Sequence, residues 1–221
     1  MLRMLFYLLI IFILIVTVVV YYASPYAIIR PLRSDCGVIT NNPNIEAVKV
    51  KGFGDIELDG YWYHVDSPRA TILLLHGVGS CKEVWRPTSE WLANSGIETL
   101  AFDSRAHGRS GGDFATFGYY EKEDVQNILD FIEARSMQAA KPGIAERSSE
   151  TAKTIPPIGI FGNSLGGAIS LQTMAIDERI QFGIIESTFA NLDDIVFEYM
   201  KRISGGWGFK LISDLALKRG S

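Results

Sequence analysis

A serine with glycines two positions to either side is where this chain is best placed to do chemistry: Ile158-Gly159-Ile160-Phe161-Gly162-Asn163-Ser164-Leu165-Gly166-Gly167. The stretch reads as a buried apolar strand that enters Gly-x-Ser-x-Gly and then a helix opening on small residues. A serine on so sharp a turn is held in a strained backbone with its hydroxyl projecting. Only small residues fit at 162 and 166, because strand and helix converge there. Amide N–H groups at the helix start point toward the serine, where they can hold a developing oxyanion. The pattern predicts Ser164 as a nucleophile; a glycine-rich turn with an idle serine is the alternative.

Positioning such a serine requires a sheet. Ala47 to Phe53 and Ile56 to Val65 are expected strands, with Gly54-Asp55 suiting a tight hairpin turn between them. Beyond them the rhythm changes to short apolar strands alternating with amphipathic helices. Strands are expected at Thr71 to Leu75, Glu98 to Phe102, Ile158 to Phe161 and Ile180 to Ile185; helices at Glu83 to Ser95, Tyr119 to Arg135 and Leu165 to Ala175. Strands apolar on both faces, alternating with helices, indicate an α/β fold: a mostly parallel sheet covered by helices, with an antiparallel hairpin at one edge. Met137 to Pro157 is polar and too long for an ordinary connection, so it reads as an exposed insertion. Phe189 to Ser204 is amphipathic, and Gly205-Gly206-Trp207-Gly208 separates it from a short final helix ending near Lys218.

Ahead of this domain, no charge interrupts Met4 to Ala23, a 20-residue apolar run long enough to cross a bilayer. Tyr21, Tyr22 and Tyr26 sit where an interfacial aromatic belt belongs. A cleaved signal peptide is the rival reading, but the run is longer than the usual apolar region and Tyr22-Ala23-Ser24-Pro25 is a poor cleavage site. The expected organisation is therefore a transmembrane anchor at 4–23, a juxtamembrane linker at 24–46 and one domain at 47–221. Arg3 before the span, against Arg30 and Arg33 after it, leans slightly toward a cytoplasmic main domain, though either topology is compatible. Cys36 and Cys81 could pair in an oxidising space; two isolated cysteines are more often free thiols. A net charge of −4 over 221 residues gives no basic footprint, which excludes nucleic acid as an expected partner.

In a parallel sheet, loops leaving the carboxyl ends of the strands share a rim. His76-Gly77-Val78-Gly79-Ser80 leaves one strand there and should face the Ser164 turn, with the Val78 N–H as a second oxyanion donor beside that of Leu165. His76 could be a base, but its place just after a strand better suits a structural hydrogen bond. Asp103-Ser104-Arg105-Ala106-His107-Gly108-Arg109-Ser110 leaves the next strand. Asp103 as catalytic acid and His107 as base is one reading of it; a loop braced by an Asp–Arg pair and by side-chain bonds to backbone is the favoured one.

Four segments together resemble the α/β-hydrolase superfamily, in its serine esterase, lipase and serine aminopeptidase-like branch. They are Leu-His76-Gly-Val-Gly-Ser, the 103–110 loop, Gly162-Asn-Ser-Leu-Gly-Gly and Glu186-Ser-Thr-Phe, in the family's order, and the likeness runs from about Ile56 to Tyr199. The resemblance implies Ser164 as nucleophile and the Val78 and Leu165 N–H groups as oxyanion donors. It implies that His76, Gly77, Asp103, Arg105, His107, Gly162 and Gly166 support the site. It also implies a small-molecule or lipid ester substrate, with no metal and no organic cofactor.

The family's triad runs Ser, acid, His along the chain. Here all three histidines, His64, His76 and His107, precede Ser164. The family's last two strands have no counterpart, which would leave Ile180 to Ile185 as an apolar sheet edge. Glu186 could be a displaced acid, but no histidine follows it. The expectation is thus a membrane-anchored serine hydrolase of an ester, thioester or amide, with nucleophile and oxyanion donors present, and acid and base absent, owing to truncation, a frameshift, a split gene or completion by a partner chain. A non-catalytic hydrolase-like binding module and a fragment without independent activity are the alternatives.

Overall fold

The computed structural model describes residues 2–38, 42–139 and 155–203. Most of the expected insertion at 137–157, and the segment from Gly205 to the expected final helix, lie outside them. The described chain divides into two units: one holds the helices α1 (Leu2–Ile29) and α5 (Leu192–Ile203), the other runs from Leu32 to Thr188.

The larger unit is built on a six-stranded sheet of β1 (Ile45–Lys51), β2 (Glu57–Tyr63), β3 (Ala70–Leu75), β4 (Ile97–Phe102), β5 (Ile158–Asn163) and β6 (Ile180–Glu186), in the spatial order β1-β2-β4-β3-β5-β6. β2 is antiparallel to both its neighbours, β1 and β4; β4, β3, β5 and β6 are mutually parallel. The hairpin turn is wider than a two-residue one. A 3₁₀ turn, Phe53–Asp55, closes under a bond from the Gly52 N–H to the Ile56 carbonyl at 2.8 Å, with Gly54 and Asp55 both at positive φ.

Although β3 is uniformly apolar, its side chains still alternate, as the pleat requires. Leu73 and Leu75 join Leu100, Phe102 and Ile160 in a core under α3 (Glu121–Ala139) and α4 (Leu165–Met174). Ile72 and Leu74 join Tyr61, Tyr63 and Trp85 in a second core against α2 (Arg86–Ala93). Continuous apolar sequence in β3 is thus the signature of a strand covered by helices on both faces. After β3 the chain steps to β4 on one side, then returns through α3 to β5 on the other. The loops that follow β3 and β5 therefore leave adjacent strand ends in opposite directions and open a crevice at the carboxyl rim.

In the other unit, α1 reaches further than the expected 4–23 span. Its stretch Leu2–Val19 is apolar and long enough to cross a membrane, and none of it is buried.

Candidate active site

Ser164 sits between β5 and α4 with φ 52° and ψ −113°, a backbone that costs a non-glycine residue on the order of 1–3 kcal/mol. Its neighbours hold it there. The Ser164 N–H donates to the Glu186 carbonyl at 2.9 Å, and the Ser164 carbonyl accepts from the Ala168 N–H and the Thr188 hydroxyl, both at 3.1 Å. The flanking glycines are demanded by contact. A Cβ on Gly162 would fall on the Gly166 carbonyl, and one on Gly166 would fall on the Leu75 carbonyl. That second approach lets the Gly166 N–H reach the His76 carbonyl at 3.1 Å, tying α4 to the end of β3. Gly77 in turn lies against the nucleophile turn, since a Cβ there would stand 3.2 Å from that of Ser164.

The two turns share an open cleft of about 440 Å³ lined by His76, Gly77, Val78, Ser80, Val84, Trp85, Thr88, Asn163, Ser164 and Glu186. Among the described residues the Ser164 hydroxyl has no hydrogen-bond partner, and the N–H groups of Val78 and Leu165 have no acceptor. Glu186 is the carboxylate in the cleft, and the Asn163 amide donates to it at 3.1 Å.

The histidines are engaged elsewhere. The Ser104 N–H donates to His76 Nε2 at 3.1 Å, so the ring proton is on Nδ1, which donates to the Gly77 carbonyl at 2.8 Å. Burial pushes the His76 pKa down to about 4, helped by the neighbouring His107 ring, and the ring stays neutral. His107 donates from Nδ1 to the Arg105 carbonyl at 2.9 Å, its buried Nε2 has no partner among the described residues, and its pKa is also lowered by burial. His64 stacks on Trp62 and pairs with Glu46 at 2.8 Å.

The 103–110 loop is braced, as expected, by an Asp–Arg pair and by side-chain bonds to backbone, the pair being Arg105 with Asp124 from outside the loop. Asp103 is 1% exposed and accepts from the Lys82 N–H at 2.7 Å, the Lys82 ammonium at 2.7 Å and the Arg109 N–H at 2.9 Å. Arg105 meets Asp124 in a two-bond fork, 2.7 Å on each arm, with its plane over Tyr120. Lys82 carried no signal in the sequence beyond an ordinary surface lysine. Its ammonium is fully buried, 2.6 Å from Asp59 and 2.7 Å from Asp103. Burial alone would lower its pKa, but hydrogen bonds with those two carboxylates raise it instead. A buried charge so matched is costly to break from either side.

The cysteines also depart from expectation: Cys36 and Cys81 form a disulfide rather than two free thiols. Arg33, counted as a juxtamembrane charge, donates to the carbonyls of His107, Gly108, Ser110 and Gly112 at 2.6–3.2 Å. Neither pairing is visible from spacing, because each joins segments 45 or more residues apart.

A family model described as serine aminopeptidase, S33, matches residues 66–219. Human monoglyceride lipase is 28% identical over 121 residues, covering 52% of this chain and 33% of that protein. An uncharacterized protein of Bacillus subtilis, YqkD, is 26% identical over 137 residues, covering 60% and 39%. A monoglyceride lipase homolog of monkeypox virus is 25% identical over 114 residues, covering 50% and 35%. The matches thus span little more than a third of these curated relatives. Among solved structures, the Pyrococcus furiosus esterase Pf2001 superposes with a TM-score of 0.64 at 24% identity, covering 85% of this chain and 70% of that one. A carboxyl esterase of Bacillus coagulans gives 0.54 at 15% identity, covering 74% and 51%. At those identities the likeness establishes the fold.

Proposed function

The chain belongs to the serine aminopeptidase S33 family of α/β-hydrolases, and from that premise we propose that it carries the nucleophilic half of a serine hydrolase acting on carboxylic esters. In this reading Ser164 Oγ attacks the acyl carbonyl, and the negative charge that develops on oxygen is received by the Val78 and Leu165 N–H groups. The alcohol leaves, water hydrolyses the acyl-serine, and no metal or organic cofactor takes part. The observation that carries it is the positive-φ serine beside two acceptor-free amides, next to a cleft.

The proton of Ser164 needs an acceptor, and general-base assistance is worth ~10²–10⁴ in rate. All three histidines of the chain are held in other bonds. We therefore assign the base to a histidine of a polypeptide segment outside this sequence, with an acid to orient it. The names of the monoglyceride lipase relatives and the apolar walls Val78, Val84 and Trp85 favour lipophilic esters as substrate.

Helix α1 is proposed as a retained single-pass anchor. The Cys36–Cys81 bond supports an oxidising side of the membrane for the cleft-bearing unit, and the slight charge asymmetry of Arg3 against Arg30 and Arg33 is the feature that argues for the cytoplasm.

Fluorophosphonate labelling tests the enzyme reading. Label is expected at Ser164 of the native chain and is lost in Ser164→Ala; absence of label under every folded condition, including co-expression with a segment carrying the missing carboxylate and histidine, overturns it. The competing reading, a non-catalytic binding module, draws on the same histidine engagements and predicts that absence.

A further inference from the structure

Residues 32–37 have the composition of a linker, yet they are bonded to both loops behind the cleft. Arg33 occupies four carbonyls of the 107–112 turn. The Ser34 hydroxyl donates to the Gly79 carbonyl at 2.5 Å, Arg109 donates back to the Gly37 carbonyl at 3.0 Å, and Cys36 is bonded to Cys81. The Leu32 carbonyl passes 3.9 Å from where a Cβ would stand on Gly79, whose φ is +68°.

The segment so covered is the one carrying Val78. Its peptide planes flank two glycines and can rotate with little steric cost. What fixes them is bonding of their carbonyls. His76 Nδ1–H and the Ser80 N–H hold the Gly77 carbonyl at 2.8 and 3.2 Å. In a trans peptide the next N–H points opposite to that carbonyl, so the same bonds aim the Val78 N–H. Nothing within the loop performs that service for the Gly79 carbonyl; Ser34 does, and the disulfide holds the loop's far end.

We propose that Leu32–Gly37 is a positioning strap for residues 76–81, that by holding the Gly79 carbonyl it sets the Ser80 N–H that in turn holds the Gly77 carbonyl, and so acts through that peptide on the direction of the Val78 N–H, and that the Cys36–Cys81 bond is its covalent anchor. The catalytic consequence rests on the serine-hydrolase reading; the effect on the loop does not. Val78 is 39% exposed and has no core packing to keep it in place, so its peptide depends on the Gly77 carbonyl bonds, one of which comes from the Ser80 N–H that the strap positions. Cys36 is exposed while Cys81 is 1% exposed, so a reductant can reach the bond from outside.

The chain holds two cysteines, so a phosphine reductant, giving two electrons to open the bond to two thiols, acts nowhere else. The full chain in detergent would be compared oxidised, reduced, and as Cys36→Ser and Ser34→Ala. Amide hydrogen exchange across 76–82 is expected to quicken about tenfold or more in the reduced protein and in Cys36→Ser, and less in Ser34→Ala, while α4 keeps its protection. Fluorophosphonate labelling of Ser164 should slow about tenfold, below the ~10²–10³ cost of deleting an oxyanion donor outright. Where the chain turns over a short-chain ester, kcat should fall with KM unchanged. Unaltered exchange at 76–82 after reduction overturns the proposal, as does alkylation of both cysteines in protein never exposed to reductant. If the oxidised wild type never labels, alone or co-expressed with a segment carrying the missing carboxylate and histidine, the hydrolase reading fails while the exchange result still decides the strap. The reduced wild type serves should Cys36→Ser not fold.

Discussion

Both ring nitrogens of His76 are engaged, one on the Gly77 carbonyl and one by the Ser104 N–H, in a ring that is 1% exposed. A residue type capable of base chemistry is thereby fixed as a neutral brace, and that has a measurable pH signature. Its folded pKa of about 4 lies below the ordinary value of 6.5. The unfolded chain therefore takes up a proton as pH falls from 6.5 to 4 that the folded chain refuses. The stabilisation is present in full above 6.5, is lost progressively down to 4, and levels off below. His107, lowered in the same direction, adds to the loss. Guanidinium unfolding of the full chain in detergent should show stability falling between pH 7 and 4.5. In His76→Gln that fall should shrink by on the order of 2–3 kcal/mol. Equal pH slopes in the two proteins would show that the imidazole is not held neutral.

At the scale of elements, β6 is the one whose environment differs most from its sequence. Ile180-Gln181-Phe182-Gly183-Ile184-Ile185 reads as a strand buried on both faces. Among the described residues it pairs with β5 alone, and Phe182 and Ile184 are 37% and 48% exposed. An apolar parallel strand with an open row of amides is a template for further pairing. The full chain in detergent should self-associate as concentration rises, and Ile184→Lys should weaken that association about tenfold, near 1.4 kcal/mol, in sedimentation velocity. A monomer at all concentrations, or indifference to the lysine, would mean the edge is not adhesive. The contrast with β3 is instructive. Both strands are apolar throughout, but β3 has helices on both faces and a strand on either side.

For the whole molecule, the question is whether α1 remains in the mature chain. A retained anchor keeps the protein with membranes through alkaline carbonate extraction. Ile11→Arg together with Leu14→Arg, at ~2.5–3.5 kcal/mol for each charge near the span centre, should release it. Carbonate-soluble wild type, with a mass starting beyond residue 23, would mean a cleaved leader instead. The same helix end lies four residues before Arg33, so the chain enters the larger unit through the strap.

The elements, their parallel order and the strand-turn-helix around Ser164 were legible because they depend on contacts between near neighbours: alternation within β3, small residues two positions from a serine, a carboxyl end shared by parallel strands. Folding alone assigned Lys82 to Asp59 and Asp103, Arg33 to four carbonyls of the 107–112 turn, and Cys36 to Cys81. Those partners are separated by 21 to 79 residues. The chemistry of a lysine, an arginine or a cysteine is the same wherever it stands, so only the three-dimensional path of the chain decides whether it meets water or a buried partner.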